Sequence, residues 1–528
     1  MSSLVEDLQQ SGAYPGSSGR VEFIETHISW VFLVGAEVYK VKKPVNLGFL
    51  DFRSIEQRRA DCDAEVQLNA RLAPRVYLGV VPICLGADGR HRIGTDGDPV
   101  DWAVHMKRLH DDERADNLLA SGRFGVEAID LVAQHLAQFH ASARCDAETT
   151  AFGTVTAITN NVLENFAQTR ANVARYVEPA DADEIERRQV AFLREQAPTL
   201  VARMAAGRVR DGHGDLRLEH VYLRHGRPTI IDCIEFADRF RFADVCADAA
   251  FLSMDLAWHG RLDLAERFIA RYAREANDFD LYSVIDFYEG YRAYVRAKVS
   301  MLLATDDRAD EALRAAAGRA ARRFLLLALS MGRKSPISPV LLCVGGLIAS
   351  GKSTVAEQVS LELNAPVVEA DRTRKHMLGA APTARIDESG SWRGAYDPAV
   401  SERIYAEVLR RAGVVLASGR PVIVDASFRS RAMRHAARDL ATAHGVPFRF
   451  VECRTDDDVC RERLARRERE SGVSDARLPL FETFRSSFEP VDELSGEEHV
   501  VVDTGRPATQ IYAELHERLS GWPKGLNA

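Results

Sequence analysis

The stretch GLIASGKST, Gly346 to Thr354, constrains this chain more than any other. It matches GxxxxGK[ST] through Gly346, Gly351, Lys352 and Ser353, follows the apolar run VLLCVGG and opens a helix-patterned segment. Such a loop is built around phosphate: glycines let the backbone curl so that its N–H groups face inward, and the helix N-terminus behind adds positive potential. Lys352 neutralises β/γ-phosphate charge, and Ser353 is placed to ligand Mg2+. The expected nucleotide-binding set is Gly346, Leu347, Ile348, Ala349, Ser350, Gly351, Lys352, Ser353 and Thr354. A glycine turn without nucleotide is the bland alternative, and strand, loop and helix in that order speak against it.

Beyond the loop, apolar runs alternate with helix-patterned ones: APVVEAD, PVIVDAS and FRFVEC are each set off by helical spacing. Unalternating apolar strands between helices imply a parallel sheet covered on both faces. In such a sheet the strand C-termini line the ligand crevice. Asp371 and Asp425 fall at the ends of two runs, so both are expected on the γ-phosphate side. There a carboxylate accepts a proton from an acceptor hydroxyl or helps hold Mg2+; helix capping is the other use of Asp371. VCRERLARRERE carries Arg461, Arg463, Arg466 and Arg467. It reads equally as an arginine-bearing lid over the phosphates or as a solvated helix of Glu–Arg pairs. Arg466 and Arg467, next to SGVSDAR, are the expected lid residues.

On these residues the C-terminal part resembles the small P-loop kinases that include polynucleotide 5′-kinases, gluconate-kinase-like enzymes and zeta-toxin-like kinases. The resemblance implies that Asp371 is the acceptor-activating base and that Arg374 contacts the substrate. The AAA+ and RecA motors are a poorer match.

A second constellation lies upstream. HGDLRLEH, His213 to His220, fits HxDxxxxN except at its last residue. Asp215 stands where a proton-accepting Asp is needed, with His213 as its support. Twelve residues after His220, IIDCIEF puts Asp232 at a metal-binding position. VYKVKK offers Lys40 on a strand, with Lys42 two residues on and therefore on the same face. A phosphate-binding lysine there needs a helix glutamate, and Glu65 in DAEVQLN is the natural partner. Singly these are ordinary: a strand lysine usually faces solvent, and His-Gly-Asp is often only a turn. Together they stand in kinase order.

This half resembles the aminoglycoside phosphotransferase-like kinases, whose loop reads HGDLxxxN. RFADVCADAAF resembles their helix segment, which implies that Asp244 and Asp248 brace the catalytic loop. The whole chain resembles the bacterial two-domain proteins that join such a domain to a P-loop kinase domain; ETHISWVFLVGAEVYKVKKPVNLGFLDF and HGDLRLEHVYL are characteristic of that group.

The departure is His220. Mg2+ prefers hard oxygen ligands, and an imidazole replaces an amide oxygen here. Three readings stay open: Asp232 holds one metal and the other is lost, Glu235 completes the site, or the domain binds nucleotide without turnover.

Strands precede helices in the first half. HISWVFLVGAEVYKVKK patterns as a hairpin around Gly-Ala, IEQRRADCDAEVQLNARLA as a helix, VYLGVVPICL and DWAVHMKRL as further β-like stretches, and TIIDCIEF as a short strand within a helical remainder. MGRKSPISP breaks the pattern, so the expected division is residues 1–330, a linker at 331–336, and residues 337–528. The net charge of −8 speaks against a non-specific nucleic-acid binder. The eight cysteines form no CxxC and fit reduced thiols in a cytosol. MSSLVEDLQQSGAYPG has neither a basic nor an apolar signal region, and the run at Phe324–Leu329 is too short to span a bilayer.

The expected molecule is cytoplasmic, with an N-terminal α+β protein-kinase-like bilobal domain and a C-terminal α/β P-loop domain. The expected activity is ATP- and Mg2+-dependent phosphoryl transfer to small-molecule hydroxyls at two sites, through Asp215 and Asp371. The alternatives are a P-loop NTPase governed by a ligand-sensing pseudokinase domain, and a nucleic-acid-end kinase. Oligomeric state stays open.

Overall fold

The computed structural model describes residues 3–16, 19–26, 28–46, 51–94, 97–332, 337–384, 397–467 and 478–518. Its packing forms two compact units, Met1–Asp255 with Tyr291–Leu325, and Leu256–Gly290 with Leu326–Ala528.

The first unit contains an antiparallel sheet in the order β1-β2-β3-β6-β4-β5. The strands are β1 (Val21–Glu25), β2 (Ser29–Val34), β3 (Glu37–Lys42), β4 (Tyr77–Leu85), β5 (His91–Ile93) and β6 (Pro99–Lys107). The predicted hairpin is β2–β3, and Gly35, at φ +60°, supplies the left-handed turn. Alternation along β3 sorts its side chains. Tyr39 and Val41 pack with Phe32, Ile83 and Ala103 on one face, and Val38 packs with Cys62 of helix Ile55–Asn69 on the other. Lys40 and Lys42 inherit the helix-covered face. That helix opens with a capping box between Ser54 and Gln57 and ends at Asn69, four residues short of the expected Ala73.

A helical body follows, with two short ribbons: β7 (Val209–Asp211) pairs with β10 (Phe242–Asp244), and β8 (Val221–Arg224) with β9 (Arg227–Ile230). TIIDCIEF is strand only as far as Ile230. Beyond it, the backbone groups find partners outside a ladder: Ile231 N–H donates to the His220 carbonyl, Cys233 N–H to Asn69 Oδ1 and Ile234 N–H to the His213 carbonyl. This unit is the expected α+β bilobal fold.

The second unit holds a five-stranded parallel sheet in the order β12-β13-β11-β14-β15. Its strands are β11 (Leu341–Gly346), β12 (Val367–Glu369), β13 (Val422–Asp425), β14 (Phe448–Arg454) and β15 (His499–Asp503). β11, β12 and β13 are buried throughout, as unalternating apolar runs require. Helices Lys352–Leu363 and Ala508–Arg518 bring Val355, Val359, Ile511 and Leu515 onto Leu342, Val344, Ile423 and Val451. Each such side chain, fully buried, contributes about 1.5–3 kcal/mol.

Packing divides the chain elsewhere than composition does. The sequence break falls at 331–336, of which 333–336 lie outside the described residues, yet Leu256–Gly290 belongs with the P-loop unit. The cause is polar. On helix Leu262–Glu275, buried Arg267 donates to Ser360 Oγ and Glu357 Oε1 at 2.9 Å each, and Arg274 reaches Glu357 at 2.7 Å. Arg420 answers from the other side, bonding Glu266 at 2.8 Å and Asp286 at 2.9 Å. A composition shift marks a change in residue content; these pairs mark where the chain packs. No helix among the described residues is long and apolar enough to cross a membrane.

Candidate active sites

The P-loop leaves β11 at Gly346, whose φ is +133°. A Cβ there would sit 2.4 Å from the Cys453 carbonyl oxygen, so only glycine fits. The loop turns into helix Lys352–Leu363 at Gly351, φ +92°. Lys352 Nζ donates to the Leu347 carbonyl at 2.7 Å, which holds the ammonium across the loop. Burial lowers the Lys352 pKa, against the pull of Asp425. Asp425 ends β13 and hydrogen-bonds Ser353; burial pushes its carboxyl up to about 6, against the pull of Lys352. Ser353 and Asp425 thus meet as an oxygen pair suited to Mg2+.

Asp371 lies in the first turn of helix Ala370–Met377, past the end of β12 rather than on it. Its carboxylate pairs with Arg374, one turn on and nearly buried. Its charge is felt at both Lys352 and Asp425. The residues the sequence singled out in this half therefore converge.

Beside the loop lies a cavity of about 280 Å³. Ala349, Gly351 and Thr354 line one side, Arg463, Arg466 and Arg467 another, and Thr504, Arg506 and Tyr512 a third. Arg466 and Arg467 stand where a lid would begin; SGVSDAR, at 471–477, lies outside the described residues. Arg463 has a different task. It donates to the Ala349 carbonyl at 3.2 Å and to the Thr504 carbonyl at 2.9 Å, tying loop to sheet. Arg461 pairs with Asp458 and Glu482 at the surface, as the bland reading has it.

In the first unit Lys40 is the hub. Its Nζ lies 2.9 Å from Glu65 Oε1 and 2.9 Å from Asp232 Oδ1. Strand lysine, helix glutamate and acidic loop are thus joined as the sequence order implies. Asp232 sits at φ +65°, a strained conformation for a non-glycine residue, and its side chain is half exposed. Lys40 and His220 hold its pKa well below the carboxylate range.

Lys42 departs from expectation. It shares the face of Lys40 but is wholly buried, and its ammonium is taken by Asp61 at 2.7 Å, by Glu65 Oε2 at 2.6 Å and by Glu235. A cation so enclosed cannot serve a nucleotide. Glu235 is diverted too. Instead of completing a metal site, it joins Asp61 and Glu65 around Lys42. Burial, with the push of Glu65, raises its pKa despite Lys42. The three carboxylates have the spacing of a metal cage, and Lys42 is its cation.

The HGDLRLEH loop turns at Gly214, φ +90°, where a Cβ would press to 3.1 Å on the Phe240 carbonyl. Asp248 braces the turn, accepting from His213 N–H at 2.6 Å and Gly214 N–H at 2.9 Å. Asp244, expected beside it, instead pairs with Arg203 at 2.7 and 2.8 Å. His213 supports Asp215 as expected: its Nδ1 accepts from Asp215 N–H at 3.2 Å, so Nε2–H donates to the Ile231 carbonyl at 2.9 Å. Burial pushes His213 down to about 4.

Asp215 itself is gripped by Arg217, Nε to Oδ1 at 3.1 Å and Nη2 to Oδ2 at 2.9 Å. Burial would raise its pKa, but Arg217, His220 and Arg296 together hold it far below the carboxylate range. His220 Nδ1 meets the Asp215 carbonyl at 2.7 Å. Its Nε2 lies 3.7 Å from Asp232 Oδ2. Against the Mg2+ that the resemblance implies, Asp232 fits and His220, a nitrogen donor, does not.

Sequence reading missed Arg217, Asp61, Thr504, Arg506 and Tyr512. Two signals were present: Arg217 stands two residues after Asp215, and Asp61 stands one helical turn before Glu65. Thr504 and Arg506 follow β15, a strand the sequence reading passed over.

A family model described as an AAA domain matches residues 341–491. The match runs from β11 past β14, over the part expected to be the P-loop kinase domain. The uncharacterized protein Rv2004c of Mycobacterium tuberculosis is 33% identical over 462 residues, covering 87% of this chain and 88% of that protein. Mb2027c of Mycobacterium bovis, also described as uncharacterized, matches to the same extent, 33% over 462 residues. Among solved structures, a gluconokinase from Sinorhizobium meliloti aligns at 23% identity over 36% of this chain and 95% of its own, with a TM-score of 0.26. A choline/ethanolamine kinase family protein from Mesorhizobium loti aligns at 14% over 61% of this chain and 98% of its own, with a TM-score of 0.37.

Proposed function

The chain belongs to the family of bacterial two-domain proteins that includes Rv2004c of Mycobacterium tuberculosis, in which an aminoglycoside phosphotransferase-like domain is joined to a P-loop kinase domain, and from that premise we propose that it is an ATP-dependent phosphotransferase with two separate transfer sites. The observation that carries the reading is Lys40, whose one ammonium joins Glu65 and Asp232 at 2.9 Å each in a unit distinct from the one that holds the P-loop.

At the P-loop site, Lys352 exchanges the Leu347 carbonyl for β- and γ-phosphate oxygens, and the loop N–H groups hold the remainder. Ser353 and Asp425 would hold Mg2+, which would supply charge neutralisation to the phosphates. Asp371 takes the proton of an acceptor hydroxyl, with Arg374 fixing its carboxylate. Arg466 and Arg467 offset charge on the transferring group, and the nucleoside end fits the cavity bounded by Thr504, Arg506 and Tyr512.

At the other site, Lys40 orients phosphate and Asp215 receives the proton of a second small-molecule hydroxyl. The grip of Arg217 on Asp215 favours a second reading, a ligand-sensing pseudokinase unit that governs the P-loop site. A screen of ATP consumption by the full-length protein against a library of hydroxyl compounds tests the proposal. Acceptor-dependent consumption supports it, and acceptor-independent hydrolysis alone would refute it.

A further inference from the structure

His220 is the feature of the first site that Mg2+ chemistry leaves unexplained. Its ring orientation is fixed. Nδ1 stands 2.7 Å from the Asp215 carbonyl oxygen, which can only accept, so Nδ1 carries the hydrogen. In the neutral ring the lone pair then lies on Nε2. Arg217 Nη2, a donor, lies 3.4 Å from that nitrogen, in keeping with an acceptor there. A histidine that donates one ring N–H to a backbone carbonyl and turns the other nitrogen toward a carboxylate has the supporting arrangement of a metal ligand.

The carboxylate it faces is prepared in the same way. Lys40 takes Oδ1 of Asp232 at 2.9 Å, which leaves Oδ2 as the oxygen turned to His220 Nε2, 3.7 Å away. The Asp232 side chain is half exposed and held in a strained backbone conformation, while the His220 ring beside it is buried. Glu219 Oε1, 3.6 Å from the same nitrogen, offers a further oxygen at the rim. Arg217 brings positive charge near the site, but Asp215 and Glu219 both pair with it.

We propose that His220 Nε2 and Asp232 Oδ2 form a mixed nitrogen–oxygen site that takes a first-row transition cation of the Mn2+ type with the nucleotide phosphates, in preference to Mg2+. Mg2+ demands oxygen, whereas transition cations accept imidazole, and Mn2+ also keeps the octahedral oxygen chemistry that phosphates need. The P-loop site, with Ser353 and Asp425, offers oxygen and follows the ordinary Mg2+ preference.

The inference rests on the first unit being a nucleotide site, so the test separates the two claims. Full-length protein is loaded with Mn2+ and β,γ-methylene-ATP, and pulsed electron paramagnetic resonance reads nitrogen-14 coupling from directly bound imidazole. The coupling is expected in the wild-type chain and absent in His220→Asn, which is also expected to lose on the order of tenfold in Mn2+-over-Mg2+ preference by titration calorimetry. Absence of imidazole coupling in the wild type, or its persistence in His220→Asn, overturns the metal assignment. Calorimetric stoichiometry judges the underlying reading: two nucleotides per chain, reduced to one by Lys40→Ala, keeps the first site even where the nitrogen ligand fails. One nucleotide per chain, indifferent to Lys40→Ala, overturns both.

Discussion

Arg274 grips Glu369 with both ends of its guanidinium group, at 3.0 and 2.9 Å, and Glu369 stands two residues before Asp371. An arginine from the middle of the chain thus anchors the strand end that presents the proposed base of the P-loop site. Both partners are largely buried, and Arg372 also reaches Glu369 at 2.9 Å, so removing Arg274 takes away charged hydrogen bonds without leaving the carboxylate bare, a cost of about 1.5–3 kcal/mol. Arg274→Ala is therefore expected to lower the unfolding temperature of the P-loop unit in calorimetry of the full-length protein. A fragment 337–528, which lacks Arg267 as well, should unfold at a still lower temperature. Unaltered transitions in both would show that the segment is merely adjacent.

Lys352→Ala removes the phosphate-facing ammonium of the second site. Nucleotide stoichiometry by titration calorimetry should fall from two per chain to one, with the circular dichroism spectrum unchanged. Undiminished stoichiometry would remove the P-loop assignment.

Asp425 supplies a pH test with a definite sign. An unfolded aspartate titrates near ~3.9, whereas burial raises Asp425 in the folded chain to about 6. The folded state therefore binds the extra proton between those values, and this contribution to stability falls as pH rises through them. Above pH 6 the cost is fully present, about 3 kcal/mol at most. Asp425→Asn should unfold at a higher temperature than the wild type at pH 8, lose that advantage at pH 4, and bind Mg-nucleotide more weakly. In the wild type, Mg-nucleotide binding at the P-loop should weaken below pH 6, where the carboxyl is protonated. A variant no more stable at pH 8 than at pH 4, relative to wild type, would contradict the buried-carboxylate account.

The two strand lysines should separate cleanly. Lys42→Met leaves Asp61 and Glu235 without their cation and Glu65 with Lys40 alone, a loss on the order of 3–5 kcal/mol in denaturant unfolding. Lys40→Ala, closer to solvent, should spare most of the stability and abolish nucleotide binding at the first site. Equal destabilisation by the two substitutions would refute this division of roles.

Much of this was legible in the chain. The P-loop, the parallel sheet, the Lys40–Glu65–Asp232 chain and the convergence of Asp371 with Asp425 follow from local pattern and spacing, because each motif carries its own backbone geometry. What was not legible depends on which partner a charge chooses. Period-2 alternation places Lys42 on the face of Lys40, but not that three carboxylates from two separate segments enclose it. Glu235 lies three residues from Asp232, yet its side chain goes to Lys42. Composition places a break at 331–336, while Arg267 and Arg274 carry 256–290 into the P-loop unit. Long-range ion pairs of this kind have no sequence period.

The central claim, two independent transfer sites on one chain, is tested most directly by phosphoryl transfer from γ-labelled ATP in full-length protein carrying Lys352→Ala, alone and combined with Asp215→Ala. With a hydroxyl acceptor found by screening, the single variant should keep acceptor phosphorylation at the first site, and adding Asp215→Ala should lower it on the order of 100-fold or more. Loss of all transfer in Lys352→Ala alone, or transfer indifferent to Asp215, would contradict the account.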